Sequence, residues 1–173
     1  MQLTNEIVFR TLEPNDAPAL LAMMRELARF ENQEHLIGAS EESVRRDGFG
    51  DAPLFSGYIA LDDDEPAGFV TYTMPYTIWG ARQFVLVDDL FVRETYRSRG
   101  IARRLMSFIE KLVLERGTYA RWTVSPGNER AIAFYKSLGA RYVPKGHCYW
   151  HLDVEEKENS PSPLGGEGIR PSA

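Results

Sequence analysis

The most constraining stretch of this chain is residues 83–92, apolar almost throughout but interrupted by Asp88-Asp89. It is followed by Arg97-Ser98-Arg99-Gly100-Ile101-Ala102 and then by a long amphipathic segment. A short run that apolar predicts a strand buried on both faces, where two adjacent carboxylates demand an explanation. In the segment over 100–116, Ile101, Leu105, Phe108/Ile109 and Leu112/Val113 recur at helical spacing. Arg103, Arg104, Glu110, Lys111 and Glu115 fall on the other side, and Gly117 ends the helix. The loop joining strand to helix opens a helix N-terminus, where backbone N–H groups and the positive end of the macrodipole can cradle a pyrophosphate. Arg99 and Arg103 would add side-chain charge. The same hexamer also reads as an ordinary strand-to-helix turn with a solvated basic face.

The remaining pattern is mixed. Residues 6–10 predict a short opening strand, and Asp16 is placed to cap a helix over 17–30 whose apolar positions are Leu20, Met23/Met24, Leu27 and Phe30. A second short helix is expected from Ser40 to near Gly48 and Gly50. Strands are expected over 55–61 and 67–75, joined by the turn Asp62-Asp63-Asp64-Glu65-Pro66, with a further turn at Trp79-Gly80. A strand over 119–124, a helix over 128–138 closed by Gly139, and strands at 141–143 and 148–154 complete the pattern. From Glu155 the composition shifts to charge and then to Ser-Pro-Ser-Pro-Leu-Gly-Gly-Glu-Gly, which cannot bury a core. The expected organisation is one domain, 1–154, and a flexible low-complexity tail, 155–173.

Charge and composition exclude several classes. Lys and Arg number 20 against 25 Asp and Glu, for a net charge of -5. That balance argues against non-specific nucleic-acid binding and mildly favours cationic small molecules. No apolar run approaches the ~18–20 residues of a membrane span. No basic-then-apolar leader is visible, so a cytoplasmic location is expected. The one cysteine, Cys148, can make no internal disulfide. His35, His147 and His151 lack ligand-like spacing, and no metal is expected.

Two separated motifs carry a resemblance. Arg-x-x-Gly-x-Ala at 97–102, after an apolar strand, resembles the acetyl-coenzyme A pyrophosphate motif of the GNAT superfamily of N-acetyltransferases. Residues 128–140, an Asn opening a helix that carries Phe134-Tyr135 and ends at Gly139-Ala140, resemble its later motif. The match spans about residues 7–153. Within the superfamily the chain is most similar to the diamine (spermidine/spermine) N-acetyltransferases. The residues responsible are those at 25–31, Asp47-Gly48-Phe49-Gly50, Tyr76-Thr77-Ile78-Trp79 and Asp88-Asp89-Leu90-Phe91-Val92. It departs from them at Asp88, where the paired acids usually read Glu-Asp. It departs also at Thr77, in place of an acid, and at His147, in place of a tryptophan.

The resemblance implies an α/β (α+β) GNAT fold: a central mixed, largely antiparallel sheet, splayed at the acetyl-CoA site and flanked by about four helices. It implies acetyl-CoA as co-substrate and transfer of the acetyl group to a primary amine of a small cationic acceptor. That acceptor would be a diamine, a polyamine or a lysine-like amino acid. Contacts to the co-substrate are implied for Leu90, Phe91 and Val92, for Arg97, Ser98, Arg99, Gly100, Ile101, Ala102 and Arg103, and for Asn128, Tyr135 and Lys136. Acceptor contacts are implied for Phe30, Glu31, Trp79 and Asp89. A homodimer is implied because those relatives are dimers that share the acceptor site. Two other readings stay open, a protein lysine or N-terminal acetyltransferase and a non-catalytic acyl-CoA-binding module.

The chemistry needs a neutral amine, a stabilised oxyanion and a proton for the leaving thiolate. An alkylammonium with a pKa near ~10.4 is neutral in only about one part in a few thousand at pH 7. Asp88, working through water, is the candidate base, although a carboxylate there could merely cap a bulged strand. Tyr135 is the candidate acid for the sulfur, although a Tyr beside Phe134 on an apolar helix face could equally be core.

Overall fold

The computed structural model describes residues 6–146, in two compact units: residues 6–12 with 54–146, and residues 13–53. The first unit holds β1 (Val8–Thr11), β2 (Ser56–Asp62), β3 (Glu65–Thr73), β4 (Tyr76–Thr77), β5 (Arg82–Gln83), β6 (Val85–Val92) and β7 (Ala120–Arg121). Five of these strands form a sheet in the order β1-β2-β3-β6-β7, and β4 pairs β5 in a separate hairpin. Every sheet pairing is antiparallel except β6–β7, which is parallel. The sheet is therefore mixed and largely antiparallel, as expected.

The β2–β3 turn is tighter than its acidic sequence suggests. Asp62 pairs Glu65, and Asp63 and Asp64 take left-handed φ of 47° and 66°. Two successive left-handed residues match the twist of a two-residue hairpin, so β3 starts at Glu65 rather than at Ala67.

Helix α3 (Ile101–Arg116) lies between Gly100 and Gly117, both left-handed. Its Ile101, Leu105 and Ile109 fall on one face and are buried with Ala60, Val70, Val85 and Val87 of the sheet. Helix α4 (Glu129–Ser137) begins at Asn128, whose Oδ1 accepts the Ala131 N–H at 3.1 Å. Its Phe134, Tyr135 and Leu138 pack partly buried on the same cluster.

Two expected strands differ. The one expected over 119–124 is confined to Ala120–Arg121, because β7 pairs only with the start of β6. Residues 141–146 form no strand, and the strand expected at 148–154 lies outside the described residues. His147, Cys148, His151 and the tail 155–173 lie outside them too.

The second unit holds α1 (Ala17–Phe30) and α2 (Glu41–Phe49). Leu20, Leu21 and Met23 of α1 are buried, but Phe30 is exposed rather than part of the buried stripe. Asp16 stands at the cap position without capping α1. Its Oδ2 instead accepts the Glu13 N–H at 2.7 Å, closing the preceding turn. Ser40 does cap α2: its Oγ accepts the Ser43 N–H at 3.1 Å while Ser43 Oγ accepts the Ser40 N–H at 2.9 Å. Among the described residues no helix is long and apolar enough to cross a membrane.

Candidate active site

The adjacent carboxylates of β6 are explained by a bulge. The β3–β6 register runs Phe69↔Phe91, Val70↔Leu90, Thr71↔Asp89 and resumes at Tyr72↔Val87, so Asp88 is an extra residue with no opposite number. An inserted residue reverses which face later side chains occupy. Val85 and Val87 join the α3-side cluster before the bulge, and Leu90 and Val92 pack against it afterwards. The strand is thus not buried on both faces along its length, which corrects the expectation from its composition. Asp88 is exposed and Asp89 partly buried opposite the buried Thr71. Partial desolvation still pushes the Asp88 carboxyl above the ordinary carboxylate range.

Past the bulge, the edge of β6 away from β3 carries no ladder among the described residues. The Arg93 N–H bonds the Ala67 carbonyl on the β3 side at 3.0 Å. Backbone groups of successive strand residues alternate between edges, so Val92 and Leu90 turn theirs to the opposite edge, toward β7. The described β6–β7 ladder stops at Leu86↔Arg121. The parallel ladder is thus confined to the start of β6. Phe91 is buried with its ring 6.2 Å from that of Phe69, and Leu90 and Val92 are partly buried.

The loop into α3 supplies the second half of the site. Ser98 and Gly100 take φ of 63° and 79°. The first helical bond runs from the Arg104 N–H to the Gly100 carbonyl at 3.0 Å. The amides of Ile101, Ala102 and Arg103 therefore have no intrahelical acceptor and carry the positive end of the helix. A Cβ at Gly100 would meet nothing within 4 Å, so the space beside its backbone is open. An anion such as a pyrophosphate fits a cradle of this kind.

The basic side chains of the loop are engaged within the protein. Arg97 Nε donates to the Val92 carbonyl at 3.2 Å, and Arg99 Nη1 to Asp62 Oδ2 at 3.1 Å. Arg103 Nη2 donates to Ser137 Oγ at 2.8 Å, tying α3 to α4. All three guanidinium groups therefore have acceptors within the protein.

On α4, Tyr135 is partly buried, its ring 5.0 Å from Trp122 and 5.3 Å from Phe134. Trp122 was not singled out by sequence; its signal is an aromatic residue just beyond β7. Asn128 uses its Oδ1 as a helix cap, which leaves its amide nitrogen for any ligand, and Lys136 is exposed. Trp79 sits at the tip of the β4–β5 hairpin with relative exposure of 101%, so it lines no pocket within this unit. Phe30 and Glu31, at the end of α1, are exposed in the other unit. The structure therefore gathers Asp88 through Arg103 onto one strand–loop–helix, tied to the α4 residues, but does not bring Trp79 to Asp89. Among the described residues no His, Cys, Asp and Glu cluster could hold a metal ion.

A bulged strand with no described ladder on its far edge, followed by a backbone cradle at a helix N-terminus, is the arrangement expected of an acyl-coenzyme A transferase. The sequence model of the Acetyltransferase (GNAT) family matches residues 20–140, and the chain belongs to that family. It is an N-acetyltransferase. It is 30% identical to the pig thialysine N-epsilon-acetyltransferase over 154 residues, covering 84% of this chain and 89% of that one. It is 28% identical to the human spermidine/spermine N(1)-acetyltransferase-like protein 1, covering 83% of this chain and 21% of that larger protein. The fold is similar to that of an aminoglycoside acetyltransferase from an uncultured soil metagenomic sample. There the TM-score is 0.74 at 18% identity, over 88% of this chain and 100% of the other.

Proposed function

We propose that this protein transfers the acetyl group of acetyl-CoA to a primary amine of a small cationic acceptor, a diamine or a lysine-like amino acid. The observation that carries the reading is the bulge: it lifts Asp88 out of the β3–β6 ladder, with a partly desolvated carboxyl. A carboxyl shifted upward is a stronger base once ionised, as the amine's proton requires. Acetyl-CoA, when bound, supplies the acyl group as a thioester. Leu90 offers its backbone N–H to the carbonyl oxygen that gains charge, and the amides of Ile101, Ala102 and Arg103 hold the pyrophosphate. Asp88 removes the ammonium proton through water, and Tyr135 gives its phenolic proton to the departing sulfur.

Within the sheet unit, Asp89 supplies a carboxylate for the acceptor's ammonium, and the exposed Trp79 supplies an aromatic face on a separate surface. Trp79, Ile78 and Tyr76 are exposed on one hairpin. In a homodimer such a surface would complete the partner's acceptor site, and this is the assembly we propose. Thr77 lies directly opposite Arg82 across the hairpin. A cation there favours short acceptors over long polyamines. We place the enzyme in the cytoplasm, with residues 1–154 as the catalytic domain and 155–173 as a tail outside it.

A thiol-release assay with acetyl-CoA and a panel of thialysine, lysine, ornithine, putrescine, spermidine and spermine tests the proposal. Turnover with at least one small amine, lost in Asp88→Asn, is expected. Coenzyme A binding without release on any amine would leave only a binding module.

A further inference from the structure

The segment that leads from β6 into α3 is fastened to the β2–β3 hairpin. The Arg93 N–H reaches the Ala67 carbonyl at 3.0 Å and Arg93 Nη1 the Pro66 carbonyl at 2.8 Å. Arg99 Nη1 reaches Asp62 Oδ2 at 3.1 Å, and its guanidinium carbon lies 5.4 Å from the centre of the Tyr96 ring. Asp62 has no local reason to be acidic. The left-handed turn positions are Asp63 and Asp64, and Asp62 is an ordinary strand residue paired with Glu65. Yet its side chain is only 18% exposed, against 43% for Arg99. Its Oδ1 is withdrawn from solvent with no hydrogen-bond partner among the described residues. Holding a carboxylate in that state costs free energy, and the attraction of the Arg99 guanidinium offsets it.

We propose that Asp62 is a positioning residue of the donor site. It pins Arg99 to the hairpin, so that the loop 97–100 keeps the left-handed conformation that turns the first amides of α3 to the phosphates. The inference rests on the donor-site reading above. In this arrangement Arg99 is a brace and makes no phosphate contact, although its place in the loop suggests one. Loss of either partner loosens the same loop, so removing both should do no more harm than removing one.

The test is a double-mutant cycle on the full chain, read by steady-state kinetics and by calorimetric titration with coenzyme A. Asp62→Asn and Arg99→Gln should each raise KM for acetyl-CoA about three- to tenfold, the range of a partly exposed ion pair that orders a site. The turnover number and the KM for the amine should stay within about twofold of wild type, a split that general destabilisation would not produce. The double variant should match the worse single one. Asp62→Glu combined with Arg99→Lys should recover most of the affinity by trading arm length across the pair. Opposite signs would overturn the proposal: if Arg99 holds phosphate directly, Asp62→Asn frees the guanidinium and lowers KM while Arg99→Gln raises it. An unchanged KM in every variant, with or without a loss of thermal stability, overturns it as well. The donor reading has its own control, because it falls if wild type does not bind coenzyme A. If wild type binds and these variants bind equally well, the brace alone falls.

Discussion

At the scale of single residues the site depends on where two protons are held. Tyr135 packs against Trp122 and Phe134 through its ring, so removing its hydroxyl leaves the packing in place. Tyr135→Phe should therefore stay folded with its ring packing intact while turnover falls by about 10²–10⁴, the usual contribution of a general acid. Turnover within about twofold of wild type would assign the thiolate's proton to water. Asp88 carries the opposite linkage from a salt-bridged carboxylate. Its folded-state pKa is raised, so the native chain holds this proton to higher pH than the unfolded chain does. Stability then falls as pH rises from the ordinary carboxylate value through the raised one, and the cost persists at neutrality. Asp88→Asn never ionises. It should be more stable than wild type at pH 7, with the difference vanishing below the ordinary carboxylate range. Equal melting curves across that range would show that desolvation at the bulge is negligible.

At the scale of elements, the strand–loop–helix does the positioning, and glycine sets its geometry. Gly100 has φ of 79°, and a Cβ there would touch no protein atom within 4 Å. Gly100→Val should thus cost roughly 1–2 kcal/mol of backbone strain and leave the protein folded. Coenzyme A binding should weaken at least tenfold by calorimetry, because the added branch occupies the open space where the pyrophosphate would approach the backbone; unchanged affinity would remove the donor assignment. The register of β6 to this helix shows what a sequence can convey. The stripe Ile101, Leu105, Ile109 and the flanking glycines mark α3 to within a residue, because helix periodicity and left-handed caps are local properties. The bulge is not local. It exists only because β3 supplies one residue against two of β6, so Asp88-Asp89 read as a problem before Asp88 could be seen as the inserted residue. The shortness of β7 is likewise a matter of pairing: only Ala120 and Arg121 find partners on β6, Val85 and Leu86. Side-chain partners were the least legible, as in the turn of Asp16 back to Glu13 and of Arg99 to Asp62, since both depend on which neighbour the backbone brings near.

At the scale of the whole molecule, a net charge of -5 draws cations toward the protein without choosing among them. Choice falls to the few groups near the acceptor, and there the balance of charge changes sign along the hairpin. Asp89 can hold a near ammonium on β6, whereas the β4–β5 hairpin opposes Thr77 with Arg82. Arg82 is itself anchored, Nη1 donating to the Gly117 carbonyl at 3.3 Å with its guanidinium carbon 5.8 Å from the Tyr119 ring centre. It will not swing away cheaply when a distal ammonium arrives. Short diamines and lysine-like amines should then exceed spermine in kcat/KM. Thr77→Asp would restore an anion but share it with the facing arginine, as cross-strand opposite charges do. Its gain for spermine alone should be modest, about two- to fivefold at low salt. Combined with Arg82→Gln the gain should grow severalfold and become more salt-sensitive, while activity on a short diamine stays nearly level. Competition assays with paired amines at two ionic strengths measure this directly. A wild-type enzyme that prefers spermine to every short amine would place the distal charge away from this hairpin altogether.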